Sequence, residues 1–231
     1  MTEIAIALHK VHDRIAKAAR SCGRDPQDIS LLAVSKTKPT ELIRAAHAAG
    51  QHAFGENYLQ DALPKITELQ ALGLQWHYIG RIQSNKTREI AEHFDWTHGI
   101  DKLKQAQRLS FQRPESLPPL QCCIQVNLSG EQSKGGVSVG ELPELAKDIA
   151  ELPNLQLRGL MTMPDPSSPR EAQAQVFQQL ATLREQLNRE GLTLDTLSMG
   201  MSGDLELAIA AGSTLVRVGT DIFGARHPAP R

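Results

Sequence analysis

The stretch LLAVSKTKP, Leu31 to Pro39, runs four apolar residues and a serine into a lysine. Read as a strand, it places Leu32, Val34 and Lys36 on one face and Leu31, Ala33 and Ser35 on the other. If the first face looks into a core, the Lys36 amine must reach water or act on something. Far along the chain, SMGMSGD (198–204) and VGTD (218–221) end two further apolar runs in glycine and hydroxyl residues. Ser202 and Gly203 offer a hydroxyl and a backbone N–H at a helix start, and Gly219 and Thr220 offer a second pair. The loops after the last two strands of a barrel recurrently hold phosphate in this way. Asp204 lies in the same turn, and its carboxylate would repel a phosphate unless it points away. A phosphate clamp and an inward lysine together describe a phosphorylated carbonyl compound held as an imine. The amine must lose its proton to attack a carbonyl, and an apolar site lowers its reference pKa of about 10.4.

The elements that must position these groups follow from periodicity. Candidate strands are LLAVS (31–35), HAFG (52–55), WHYIG (76–80), DWTHGI (95–100), LQCCIQVNL (120–128), LQLRGLMTM (155–163), LDTLSM (194–199) and TLVRVG (214–219). Helical patterns lie between them. The first helix carries a stripe of Ile4, Leu8, Val11, Ile15 and Ala18, and the last long one carries Val176, Leu180, Leu183 and Leu187, stopping at Gly191. Pro64 is expected to kink or restart the helix that ends at Gly73. Eight strands alternating with helices, with no linker or composition break, predict one α/β domain over residues 1–231: a parallel (β/α)8 TIM barrel with an extra N-terminal helix. A doubly wound sheet would place a glycine-rich fingerprint after its first strand, where SKTKPT stands instead. In a barrel the C-terminal strand ends carry the site, so Lys36 falls on the functional rim. Asn57 closes the second strand in FGENY, and His77 and Tyr78 of the third face opposite ways.

Composition narrows the function. The formal net charge is −1, which disfavours nucleic acid as the main ligand. Three cysteines without CxxC spacing argue against a disulfide framework or a thiolate metal site. Cys122 and Cys123 read as small core residues facing opposite ways. His9 and His12 lack a third ligand nearby in sequence, so a metal there is not expected. No apolar run is long enough to span a membrane, and the charged N-terminus does not read as a signal peptide, so a cytoplasmic location is expected.

These motifs resemble a family, the pyridoxal phosphate homeostasis proteins, which are similar to the barrel half of alanine racemase. The resemblance covers nearly the whole chain and rests on LLAVSKTKP, FGENYLQ, WHYIGRIQSNK, IQVNLSGEQSKGG, GLMTMP and LSMGMSGDLELAIAAGSTLVRVGTDIFGAR, in matching order and spacing. It implies pyridoxal 5'-phosphate (PLP) on Lys36 as an internal aldimine. It implies that Ser202, Gly219 and Thr220 hold the phosphate, that Asn57 and His77 border the cofactor, and that Arg217 faces the pyridine nitrogen. Arg81, Asp221 and Pro64 depart from the family's usual residues. Read without the family, an inward Arg217 requires an acceptor, either a carboxylate or an unprotonated pyridine nitrogen. His77 reads as a hydrogen-bonded core histidine or a group stacked on the ring. Lys134 reads as an exposed loop charge or a second amine for the aldehyde.

The function that follows from the resemblance is holding and transferring PLP, so as to buffer the free cofactor without strong catalysis. PLP-requiring apo-enzymes are its expected partners, with no nucleic acid and no membrane, and the protein is expected to be a monomer. Two rivals stand beside it. A PLP-dependent amino-acid racemase would need a second acid/base. A lysine-dependent aldolase generally carries its lysine on strand six, and LQLRGLMTM has none.

Overall fold

The computed structural model describes residues 2–128 and 135–225. Eight parallel strands close into a barrel in sequence order: β1 Ser30–Val34, β2 Ala53–Glu56, β3 Gln75–Tyr78, β4 Trp96–Ile100, β5 Leu120–Gln125, β6 Leu155–Met161, β7 Thr196–Ser198 and β8 Leu215–Val218. The seam is the parallel pairing of β1 with β8, in register Leu32 to Arg217 and Ala33 to Val218. All eight expected strands are present, each trimmed by a residue or more at one or both ends.

Helices α1 Glu3–Ser21, α2 Thr40–Ala48, α3 Leu59–Glu68, α4 Thr87–His93, α5 Leu103–Gln112, α6 Leu142–Ala150, α7 Arg170–Arg189, α8 Leu205–Ala210 and α9 Thr220–Phe223 lie between and around the strands. The α1 stripe is buried as its spacing requires, and Thr2 caps the helix by accepting the Ala5 N–H. Two expectations are corrected. The helix α3 runs through Pro64 without a break; it ends at Glu68, and a 3-10 turn leads to Gly73. The buried face of α7 centres on Phe177, with Val176 at its edge.

Strand alternation divides the core in two. Leu31 and Ala33 join the large cluster between strands and helices, whereas Trp96, Cys123 and Met161 form a small cluster of their own. The paired cysteines are both fully buried and belong to different clusters. The register between β5 and β6 jumps from Leu157 to Gly159, so Arg158 is an extra residue that bends the strand. At Gly159 a Cβ would stand 1.7 Å from the Thr196 carbonyl oxygen of β7, a separation that only backbone movement relieves. Gly159→Ala is therefore expected to destabilise the barrel by about 2–4 kcal/mol. Urea denaturation measures the change, and a loss within about 0.5 kcal/mol of zero would contradict this account of the seam between β6 and β7.

Candidate functional site

Lys36 lies two residues beyond the end of β1 and shares a cavity of about 200 Å³ with Val34 below it. The alternation read from LLAVSK holds: Ser35 points the other way and its hydroxyl donates to Glu56 Oε1 at 2.7 Å. The turn that follows is held under local strain. Thr37 has φ 62, a left-handed conformation that a β-branched residue rarely adopts. Its N–H donates to Asp61 Oδ2 at 2.7 Å. Lys65 ties the arrangement together, donating to Asp61 Oδ2 at 2.7 Å, Glu56 Oε1 at 2.9 Å and the Ser35 carbonyl at 3.0 Å. Residues on both sides of Lys36 are thus fixed by one buried ionic cluster.

The opposite wall comes from the end of the chain. Ser202, Gly203, Gly219 and Thr220 line the same cavity, as do Asn57 and Arg217. Asp204 points away from it: Asp204 Oδ1 accepts the Met201 N–H at 2.5 Å and closes the turn from behind. Gly200, at φ 98, lets that turn fold back, because a Cβ there would stand 2.6 Å from the Cβ of Ala208. The N-terminal helix braces both loops through Arg14. Arg14 Nη2 donates to the Ser202 carbonyl at 3.0 Å, Arg14 Nε donates to Glu206 Oε1 at 2.9 Å, and Nη1 pairs with Asp221. Asp221, unusual against the family pattern, therefore has a structural partner.

Two polar groups of the cavity keep unused hydrogen-bonding capacity. Asn57 Oδ1 is buried with no hydrogen-bond partner. Arg217 is buried, and three of its five N–H groups are taken: Nη1 donates to Ser198 O at 2.6 Å and Ser198 Oγ at 2.7 Å, and Nη2 to Thr162 O at 3.0 Å. No carboxylate forms an ion pair with Arg217 among the described residues. Burial lowers its pKa to about 10, so it is a cation at neutral pH. These groups fit PLP: an amine for the aldehyde, hydroxyls and backbone N–H groups for the phosphate, and a donor for a ring nitrogen.

Of the seven site residues expected from sequence, six line this cavity and His77 does not. His77 does face inward, but one pleat too deep; Ile79, two residues on, reaches the cavity in its place. His77 lines instead a second cavity, of about 830 Å³, walled by the first residues of several strands, including Ser30, Gln75 and Trp96. That cavity is therefore at the other end of the barrel. The His77 ring stacks on Trp96, with centroids 5.2 Å apart, and burial lowers its pKa to about 3. Sequence reading also missed Met163, Met201 and Lys38 in the first cavity. Lys38 Nζ donates to the carbonyls of Phe223, Gly224 and Ala225 at 2.9, 3.1 and 2.9 Å and so holds the end of α9. Its spacing of two from Lys36 was the available signal. Neither tyrosine lines the cavity: Tyr78 packs on Phe94 and donates to the Arg81 carbonyl, and Tyr58 is exposed. Lys134 lies outside the described residues. No group of three potential metal ligands occurs among the described residues, and no helix is long and apolar enough to cross a membrane.

Comparison with known proteins is consistent with this geometry. Residues 6–227 match the family described as alanine racemase, N-terminal domain. The pyridoxal phosphate homeostasis protein of Pseudomonas aeruginosa is 59% identical over 226 residues, covering 98% of this chain and 97% of that protein. Its counterpart in Escherichia coli is 55% identical over 229 residues, covering 98% of each. The structure of PipY from Synechococcus elongatus with PLP bound superposes with a TM-score of 0.81 at 39% identity, over 91% of this chain and 100% of that one. Alanine racemase from Corynebacterium glutamicum shares the fold, with a TM-score of 0.68 at 16% identity over 98% of this chain and 62% of that one.

The buried histidines make a pH prediction. Burial holds His77 and His98 well below the ordinary value of 6.5. A histidine kept neutral by folding contributes stability that is complete above 6.5 and is lost as pH falls toward its folded pKa, about 3 for His77. Each should contribute a slope approaching about 1.4 kcal/mol per pH unit well below 6.5. Denaturant titrations at pH 7.5, 6.0 and 5.0 should show falling stability, with a shallower fall in His77→Gln. A flat profile would contradict the burial of both rings.

Proposed function

The chain belongs to the family of the pyridoxal phosphate homeostasis proteins, and from that membership we propose that it binds PLP covalently through Lys36 and holds it for release to PLP-requiring apo-enzymes. The whole chain, residues 1–231, acts in this reading as one PLP-binding unit. One observation carries it: residues from the two ends of the sequence line a single cavity containing an amine, an unpartnered buried acceptor at Asn57 and a buried cation at Arg217.

Bound PLP supplies an aldehyde that condenses with an amine and a ring that can withdraw electrons. The chain's own residues do the remainder. Lys36 presents its amine from a turn that the Glu56–Lys65–Asp61 cluster fixes, so little freedom is lost on linkage. Ser202, Gly203, Gly219 and Thr220 surround the phosphate with hydroxyls and backbone N–H groups. The Asn57 side-chain amide would meet a polar group at the ring's edge. Arg217 donates to the pyridine nitrogen and, being a cation, disfavours protonation there. An unprotonated ring is a weaker electron sink, which suits storage better than turnover.

Racemisation would require a second acid/base on the far face of the substrate carbon. Both tyrosines of the chain stand outside the cavity, so the described residues offer no tyrosine for that role.

Three outcomes are expected. Protein loaded with PLP should absorb in the visible range, and borohydride should abolish that band and leave the adduct on Lys36 by peptide mapping. An adduct chiefly on Lys38 or Lys134 would reassign the attachment. Ser202→Ala and Thr220→Val should each weaken PLP binding by roughly 1–3 kcal/mol, the range for hydrogen bonds to charged groups, and leave pyridoxal binding largely unchanged. Equal losses for both ligands would make these residues supports of the fold. Assays of loaded protein with alanine and other amino acids should find racemisation far below about 1 s⁻¹, the low end of ordinary enzyme turnover. Rates at that level, abolished by Tyr58→Phe, would replace storage by catalysis.

A further inference from the structure

Arg217 is a buried charged residue on β8, and what it rests on is unusual. A buried guanidinium is ordinarily balanced by a carboxylate. Here its protein acceptors are all neutral oxygens, two of them on Ser198. Asp204 favours the cation from beyond ion-pair reach, while its own carboxylate is occupied with the Met201 N–H. Behind Ser198 the contacts continue. Ser198 Oγ lies 2.8 Å from His98 Nδ1, His98 Nε2 lies 2.9 Å from His77 Nδ1, and His77 Nε2 lies 3.0 Å from Gln75 Oε1. Ser198 and both rings are buried. The chain crosses the barrel interior, from the cavity that Arg217 lines to the one that Gln75 and His77 line.

The donors and acceptors of this chain can be ordered from its far end. Gln75 Oε1 can only accept, so His77 Nε2 carries the proton and His77 Nδ1 accepts. His98 Nε2 must then donate and His98 Nδ1 accept. Ser198 therefore gives its hydroxyl hydrogen to His98, and its lone pairs face Arg217. Every hydrogen bond runs away from the guanidinium, so every dipole in the chain turns its negative end toward the cation. Aligned bonds of this kind strengthen one another in a low-dielectric interior. The reverse order fails at Arg217, which has no acceptor to offer, and leaves the serine hydrogen without a partner in the chain.

We infer that Ser198, His98 and His77 are positioning residues for Arg217: a one-way hydrogen-bonded chain holds the guanidinium as a permanent cation and fixes it so that one of its two remaining N–H groups donates to the ring nitrogen of the bound pyridine. The inference rests on the PLP reading above and adds the residues that make Arg217 competent. A carboxylate in the place of Ser198 would cancel much of the charge that Arg217 presents to the ring. Neutral oxygens at the end of an ordered chain orient the guanidinium and leave its charge intact. The neutrality of both imidazoles, which burial enforces, keeps the direction of the chain from reversing near neutral pH.

Two measurements test it. The first uses protein without cofactor: nitrogen-15 spectra of the imidazoles should show His77 and His98 both neutral at pH 7 and both in the Nε2–H tautomer. An Nδ1–H tautomer at either ring, or a protonated ring, would break the order and overturn the inference. The second compares the affinity of PLP with that of the analogue in which a C–H replaces the ring nitrogen. Wild-type protein should prefer PLP. Ser198→Ala and His98→Leu should each weaken PLP binding about five- to tenfold, the loss of roughly one hydrogen bond, and leave the analogue's affinity unchanged. His98→Asn, which returns an acceptor to Ser198, should recover most of the loss. Equal losses for both ligands would reduce the chain to a support of the fold, and equal wild-type affinities would remove the contact with the ring nitrogen. Failure of wild-type protein to bind either ligand would instead remove the PLP reading itself. Ser198→Ala deletes one atom, so its result stands even if His98→Leu does not fold.

Discussion

The parallel pairing of β1 with β8 is the contact on which the remainder of the molecule depends. It places Leu32 beside Arg217 and Ala33 beside Val218, and so brings the residues after each strand to the same stretch of rim. Lys36 and Thr220 are far apart in sequence, yet they share a cavity because the barrel closes there. Closure also orients them. Strand ends point the same way around a parallel barrel, so the amine after β1 and the hydroxyls after β7 and β8 converge without a long loop to carry them.

Around that seam, several ionic interactions fall on the segments that line the candidate cavity. The strained turn at Thr37 is tied to α3 through Asp61 and Lys65, and the turn after β7 is closed by Asp204. The extra helix α1 is more than a cover for apolar strand ends, because Arg14 joins it to the segments that follow β7 and β8. Buried ion pairs add little net stability, since desolvation offsets most of the attraction, but losing one partner is costly. Their value here lies in holding geometry: each removes freedom from a backbone segment next to a residue that lines the candidate cavity.

The barrel interior is polar along one line. Apolar side chains fill most of it, and a line of hydrogen-bonding groups from Gln75 to Arg217 threads between them. Such a line is tolerable only if each member is satisfied. It explains why His77, although inward-facing, does not line the cavity that Lys36 and Arg217 share. Its ring belongs to the stack with Trp96 one layer below, where burial keeps it neutral.

Sequence alone determined the fold class, because eight apolar runs separated by amphipathic helices and short turns leave few ways to bury both faces of every strand. It also determined which face of each strand looks inward, since alternation is local: Lys36 shares its face with Val34, and Arg217 its face with Gly219, whatever surrounds them. Glycine and hydroxyl residues at the last two strand ends were legible for the same reason. Depth along the barrel axis was not local. It depends on how far each strand is staggered against its neighbours, so Ile79 reaches the cavity and His77 stops below it. The partners of buried charges were equally out of reach. Lys65 meets the Ser35 carbonyl thirty residues away, and Arg14 meets Asp221 and His98 meets Ser198 across longer stretches of chain. Only the closed barrel brings those atoms within hydrogen-bonding distance, because hydrogen bonds of this length are decided by three-dimensional position and leave no period in the sequence.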